Sequence, residues 1–367
     1  MKKSGKFLGV LLAVCMVITM NTVSAYTDSG VQDTKWDEYA AMEFAGGTGT
    51  KDDPYRIEKG EQLAKLAKDV SAGNTHKGEY FRLEKDIDLS AHRWIPIGDY
   101  GGISYISFEG FLDGNCKTIS GMVVDQSKDK QSAGLFGYIF NTTAGNEVGV
   151  KDLTIANAAL YVDESIMVGS AQYVSAGILV AGSMANPGYK GTVVFENISV
   201  SGTITVKATK GSHKIGGLIG EDNRGIVRKC ATDVTITGAS NTGGMTGISC
   251  DTRFENCTAK GRISGLWALG GFVGYASSST MNDKTTESTF VNCIADVAVE
   301  ASDWNAGGFV GSADFGMFKN SASFGTVTST VTEWEARVGG FIGGAGKVNS
   351  NVNFVCCHSA SLVTYDE

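Results

Sequence analysis

A five-residue pattern, glycine-glycine-apolar-apolar-glycine, recurs through the last two thirds of this chain. It restricts what the chain can fold into more than any other feature. The clear copies are Gly216-Gly217-Leu218-Ile219-Gly220, Gly270-Gly271-Phe272-Val273-Gly274, Gly307-Gly308-Phe309-Val310-Gly311 and Gly339-Gly340-Phe341-Ile342-Gly343. Weaker copies are Ala133-Gly134-Leu135-Phe136-Gly137, Ala176-Gly177-Ile178-Leu179-Val180 and Gly243-Gly244-Met245-Thr246-Gly247. Successive copies lie 27 to 43 residues apart. A self-similar period of that size marks a solenoid or a propeller.

A second motif runs in phase with the first. It reads Phe195-Glu196-Asn197-Ile198, Phe254-Glu255-Asn256-Cys257, Phe290-Val291-Asn292-Cys293 and Phe318-Lys319-Asn320-Ser321, with looser copies at Val227-Arg228-Lys229-Cys230 and Phe354-Val355-Cys356-Cys357. A short alternating run such as Val234-Thr235-Ile236 follows each. Every unit therefore predicts two or three short strands and almost no helical period. Glycine permits sharp corners and close backbone approach. Asparagine tolerates the left-handed region best among the other residues, and stacked asparagines can bond along a ladder. Apolar residues at fixed phase would point inward and stack on their equivalents. The expected fold is all-β, a right-handed parallel β-helix in which no coil buries its apolar face alone.

These two motifs resemble the GLUG repeat family of secreted bacterial proteins, over roughly residues 130–360. The order Gly-Thr-Gly-Thr, helix, Asp-Ile-Asp-Leu-Ser, Trp-x-Pro-Ile-Gly and Asp-Gly-Asn along residues 47–115 is similar to the module that precedes such repeats, with Cys116 where a glycine is usual. Some such repeats accompany IgA-cleaving zinc peptidases and others adhesin-like surface proteins. The resemblance implies the β-helix and no particular activity.

Residues 1–25 read as a signal peptide, with Lys2, Lys3 and Lys6, an apolar stretch from Phe7 to Met20 and a Val23-Ser24-Ala25 cleavage site. Its removal would take the net charge from −8 to −11. No basic patch is visible, so nucleic acid is not an expected partner. No later stretch is apolar enough to span a membrane. The chain is therefore expected to be secreted, or associated with the cell surface. Residues 26–45 read as a linker, 46–125 as an N-terminal capping module and 126–367 as the repeat β-helix. Within the cap, Leu63, Leu66, Ala67 and Val70 form one helical stripe, suited to covering the open end of a solenoid. The polar insertion from Tyr275 to Thr289 predicts a loop. No cap is visible after the last coil, which leaves end-to-end self-association as an expectation.

Candidate chemistry is sparse. Cys230, Cys257, Cys293 and Cys357 share one repeat position with Leu153, Ile198 and Ser321, which predicts buried thiols rather than disulfides. No His-Glu-x-x-His, Cys-x-x-Cys or Gly-x-Ser-x-Gly motif occurs. No catalytic residue, metal or cofactor is therefore expected. Asp222, Asp251, Asp283, Asp296, Asp303 and Asp314 are scattered without pairing.

Tryptophan is the informative residue. Trp267 and Trp304 each lie three residues before a glycine motif, Trp334 lies five before the next, and Asp303 and Glu333 precede two of them. The simpler expectation is that these rings pack down over the coil edge. The sharper one is an exposed platform for a host or bacterial surface glycan or protein. Three functions follow: a non-catalytic adhesin-like binding protein with glycans as one ligand class, a β-helix polysaccharide lyase or hydrolase, or a spacer. An exposed aromatic row favours the first, a cross-coil cluster of carboxylates or Lys and Arg in a groove the second, and buried tryptophans the third.

Overall fold

The computed structural model describes residues 33–99, 106–126, 132–143, 145–163, 173–186, 191–207, 212–281, 284–330, 337–345 and 351–365. All belong to the compact unit Gln32–Glu367. The signal peptide expected at residues 1–25 lies outside them.

The fold is the one that the repeats predict, a parallel β-helix behind a cap with one short α-helix. One coil illustrates the path. The chain runs through Ile219–Asn223, Gly225–Arg228, Ala231–Ala239 and Thr242–Gly243 before starting the next coil at Thr246–Cys250. Each strand pairs in parallel with its equivalent one coil on, as in Ile219↔Thr246, Val227↔Phe254 and Ile236↔Ile263. This coil thus holds four short strands, where two or three were expected, because the glycine motif itself opens on a two-residue strand.

The glycine motif is the corner between the six-stranded and the eight-stranded sheet. Both its apolar residues are buried: Leu218 and Ile219, Phe272 and Val273, Phe309 and Val310. Glycine is required because the backbone doubles back on itself. A Cβ at Gly270 would lie 2.0 Å from the carbonyl oxygen of Val273.

The opposite corner uses the asparagine of the second motif. Asn197, Asn256, Asn292 and Asn320 all hold φ between 49° and 55°, as do Asp152 and Lys229. Their side chains form the expected ladder. Asn320 donates to Asn292 at 3.3 Å, Asn292 to Asn256 at 3.1 Å and Asn197 to Asp152 at 2.6 Å.

Two phenylalanine columns fill the later coils. Phe254, Phe290, Phe318 and Phe354 stack face to face at 4.7–5.3 Å. Phe272, Phe309 and Phe341 do likewise at 4.7–4.8 Å, and the two columns meet edge to face at 85–89°. Each fully buried ring contributes about 1.5–3 kcal/mol by burial alone. Beside them Cys230, Cys257 and Cys293 are buried free thiols, as expected.

The cap closes the first coil. The helix α1, Gly60–Ser71, buries Leu63, Leu66, Ala67 and Val70. Residues 33–45, expected to be linker, are anchored at Trp36 and Phe44. A 3-10 turn at Trp36–Tyr39 buries Trp36, whose indole N–H donates to the Leu89 carbonyl at 3.0 Å, and Phe44 packs on the core. The Asp113-Gly114-Asn115 stretch lies within one strand, Phe111–Ser120, with a register shift between Asp113 and Lys117. Cys116 adopts φ 56°, the conformation a glycine there would take most easily. The Tyr275–Thr289 insertion is a hairpin rather than a loop, with Ser278↔Glu287 and Thr280↔Thr285 paired antiparallel.

Candidate functional site

Trp267 and Trp304 occupy equivalent turns on neighbouring coils. The carbonyl of Trp304 accepts from the Ala268 amide at 3.1 Å, and that of Trp267 from the Asn241 amide at 3.0 Å. Coil spacing therefore sets the two residues about 4.8 Å apart along the axis. After each tryptophan the chain enters the left-handed region, at Ala268 (φ 54°) and Asn305 (φ 58°). That twist carries the backbone inward and leaves the indole outside. Trp267 is 36% exposed and Trp304 49%, so each ring rests partly on the coil edge and presents the remainder to solvent. Ala268 is neither glycine nor asparagine, and its left-handed backbone costs of order 1–2 kcal/mol.

Asp303 does not present a free acid beside the ring. Its carboxylate accepts from the Trp304 amide at 2.9 Å while its own amide donates to the Leu266 carbonyl at 3.0 Å. It orients Trp304. Trp334 and Glu333 lie outside the described residues, so among the described residues the edge shows two rings, with Asp303 bonded to the backbone of one.

Three of the other aspartates named from sequence are each engaged by separate partners. Asp222 is wholly buried, Asp251 pairs with Arg224 at 3.2 Å, and the Tyr275 hydroxyl donates to Asp314. Asp283 lies outside the described residues. Among the described residues, no group of three or more His, Cys, Asp or Glu is arranged to hold a metal ion. No described helix is long and apolar enough to cross a membrane.

A second place on the surface escaped the sequence. Outward-facing residues flank the inward column Phe81, Leu112, Val150, Phe195 and Val227 in two rows. One row alternates in charge across six coils: Arg82, Asp113, Lys151, Glu196, Arg228 and Glu255 stand in direct register. Opposite charges facing each other across a sheet stabilise it. The parallel row reads Tyr80, Phe111, Gly149, Val194 and Ile226. Gly149 is the gap in it. With φ 143°, and with any Cβ falling 1.9 Å from the Val194 carbonyl oxygen, this position accepts no side chain.

Beside that row opens a cleft of about 340 Å³, lined by Tyr80, Phe81, Phe111, Pro54 and Val194 and by six charged groups. Those six are three ion pairs: Lys51–Glu147 at 2.7 Å, Lys151–Asp113 at 3.3 Å and Arg228–Glu196 at 2.7 Å. The Lys51 bond holds the Glu147 carboxyl below the usual range, and the Arg228 bond does the same for Glu196. The Tyr80 hydroxyl donates to Glu147 at 3.3 Å, fixing its ring against Phe111 at 6.0 Å between centroids.

No family model matches the chain. Over 102 residues it is 37% identical to a protein named "Putative Gly-rich membrane protein" from Evansella cellulosilytica, covering 26% of this chain and 11% of that protein. Over 213 residues it is 32% identical to Halomucin of Haloquadratum walsbyi, covering 54% of this chain and 2% of that protein. The chain thus spans only a small part of the length of either relative. Among solved structures it is similar to a "putative immunoglobulin A1 protease" from Bacteroides ovatus, with a TM-score of 0.58 over 86% of this chain and 87% of that one. At 18% identity that likeness is one of fold alone.

Proposed function

We propose that this chain is an exported, adhesin-like β-helix of the GLUG type that binds glycans without transforming them. The observation that carries the reading is the outward turn of Trp267 and Trp304 on adjacent coils. Two exposed indoles one coil apart offer flat apolar faces of the kind that stack on sugar rings, and a rigid solenoid keeps them in place. The names of the two relatives, a membrane protein and Halomucin, support a surface or extracellular setting. The signal-peptide pattern of residues 1–25 supports export.

One observation favours the enzyme reading. The cleft beside Tyr80 and Phe111 gathers Asp113, Glu147 and Glu196 from separate coils, and β-helix lyases and hydrolases need such a cluster. Against it stands their electrostatics. A glycosidase acid needs a raised pKa. Glu147 and Glu196 are held low by their cations, which suits permanent charges rather than proton donors.

The test is a panel of mucin, plant and bacterial glycans probed with the purified chain and with a Trp267→Ala/Trp304→Ala variant of unchanged circular dichroism. At least a tenfold loss of affinity in the variant is expected. Binding to no glycan would sink the carbohydrate reading. Release of new reducing or unsaturated sugar ends would replace it with the enzyme.

A further inference from the structure

We infer that the cleft beside Tyr80 and Phe111 is a second binding site, for an uncharged oligosaccharide lying along the solenoid axis. It is independent of the tryptophan edge. It sits on the strands between Tyr80 and Arg228, whereas Trp267 and Trp304 belong to later coils and to the glycine corner.

The shape comes first. Phe111 and Val194 line the notch from one outward row, and Gly149 between them carries no side chain. Tyr80 and Phe111, tilted 37° to each other, give that notch an aromatic wall. Small-ligand sites are concave and largely apolar, with a few fixed polar groups.

The charge decides the ligand class. Three cations and three carboxylates line the cleft and every one is paired, so the site has no net charge to offer an ion. An anionic chain would have to face Glu147 and Glu196, both firmly ionised, and a cationic one Lys151 and Arg228. A hydroxyl suits these pairs. It donates to a carboxylate while accepting from the adjacent ammonium or guanidinium, and each ionised carboxylate still has lone pairs to spare. A molecule with many hydroxyls and one apolar face matches the row of ion pairs and the aromatic wall together. Sugar rings in a short chain have that chemistry. The alternating row of charges runs past the cleft from Arg82 to Glu255, which favours an oligomer over a single ring.

The experiment is calorimetry with cellohexaose, xylohexaose and mannohexaose as neutral probes, hexagalacturonate as the acidic one, and a lysine- and glutamate-containing peptide as control. Three proteins are compared with the parent: Glu147→Gln, Phe111→Ala and Trp267→Ala/Trp304→Ala. Glu147 is exposed, so its substitution leaves the fold intact even if Phe111→Ala perturbs it. At least one neutral hexaose should bind, about tenfold more weakly to Glu147→Gln and unchanged in the tryptophan variant, with little dependence on salt. The inference is overturned if no neutral hexaose binds, or if Glu147→Gln leaves every affinity unchanged. Preference for hexagalacturonate or the peptide with steep salt dependence overturns it too, as does cleavage of any probe. Loss only in the tryptophan variant would leave the edge standing and remove the cleft.

Discussion

Asp222 Oδ2 accepts a hydrogen bond from Thr252 Oγ1 at 2.7 Å, across the step from one coil to the next. Ser183, one coil back, donates to the other carboxylate oxygen, and the Gly225 amide donates to Oδ2 at 3.0 Å. One wholly buried acid thus ties three coils together inside the wall of the solenoid. Burial pushes its pKa up to about 6, and bonds from Ser183, Thr252 and Gly225 limit the rise by favouring the anion.

That shift has a sign. The native pKa lies above the unfolded one of about 3.9. The group therefore stabilises the fold fully below pH about 4 and loses that contribution as pH rises through about 6, a change on the order of 3 kcal/mol. Glu147 and Glu196, held low, act in the opposite sense and cancel when two proteins are compared. Denaturant melts of the parent and Asp222→Asn at pH 4 and pH 7 check this. The stability of the parent relative to the variant should fall by about 2 kcal/mol between the two, because the unfolded carboxyl is already half ionised at pH 4. A flat difference would show that Asp222 does not titrate in this range.

The phenylalanine columns predict a strong local effect. Phe290 stacks on Phe254 at 5.1 Å and Phe318 at 4.7 Å and meets Phe272 and Phe309 edge-on. Phe290→Ala should cost about 3–5 kcal/mol, since a close-packed solenoid wall cannot collapse into the cavity. Phe290→Leu should cost clearly less. Because coils touch only their neighbours, amide exchange should quicken around coils 254–318 and stay slow in the cap.

The sequence carried the solenoid because its constraints are local and repeated. Gly270 and Asn292 each answer a backbone demand that recurs in every coil, so the motif is visible without knowing the register. The cap helix was equally plain from Leu63 to Val70. The cleft was not legible, because its residues meet only through register. Asp113, Lys151, Glu196 and Arg228 are separated by 38, 45 and 32 residues, since each coil carries a different insertion. No fixed period brings them together on paper. Trp267 could be placed at its corner from sequence, but its exposure depends on the left-handed turn at Ala268, a residue that gives no sign of it. The anchoring of residues 33–45 was hidden because Trp36 and Phe44 set neither a strand nor a helix period.

The asparagine corner has one irregular rung. Lys229 holds φ 54° between Asn197 and Asn256, where a long side chain is strained and adds nothing to the ladder. Its ion pair with Glu196, at 3.5 Å and largely exposed, contributes little. Lys229→Asn should therefore raise stability by about 0.5–1 kcal/mol. Lys229→Val, β-branched at the same φ, should lower it by more than 1 kcal/mol, roughly the left-handed penalty. Equal effects of the two would mean that the corner does not select its residue by conformation.

The cysteines divide by burial into groups that a thiol reagent can count. Cys116 and Cys356 are exposed, Cys250 and Cys357 are partly covered, and Cys230, Cys257 and Cys293 are buried. Burial also holds the Cys230 and Cys293 thiols up, so neither supplies the reactive thiolate near neutral pH. A native chain treated with an aromatic disulfide reagent should release an immediate burst from Cys116 and Cys356 and a slower phase from Cys250 and Cys357. Cys230, Cys257 and Cys293 should react only on unfolding. Peptide mapping after each phase identifies the modified residues. A buried cysteine in the first burst would mean that this part of the wall opens. A missing thiol after full denaturation without reductant would mean that two of the stacked sulfurs are joined.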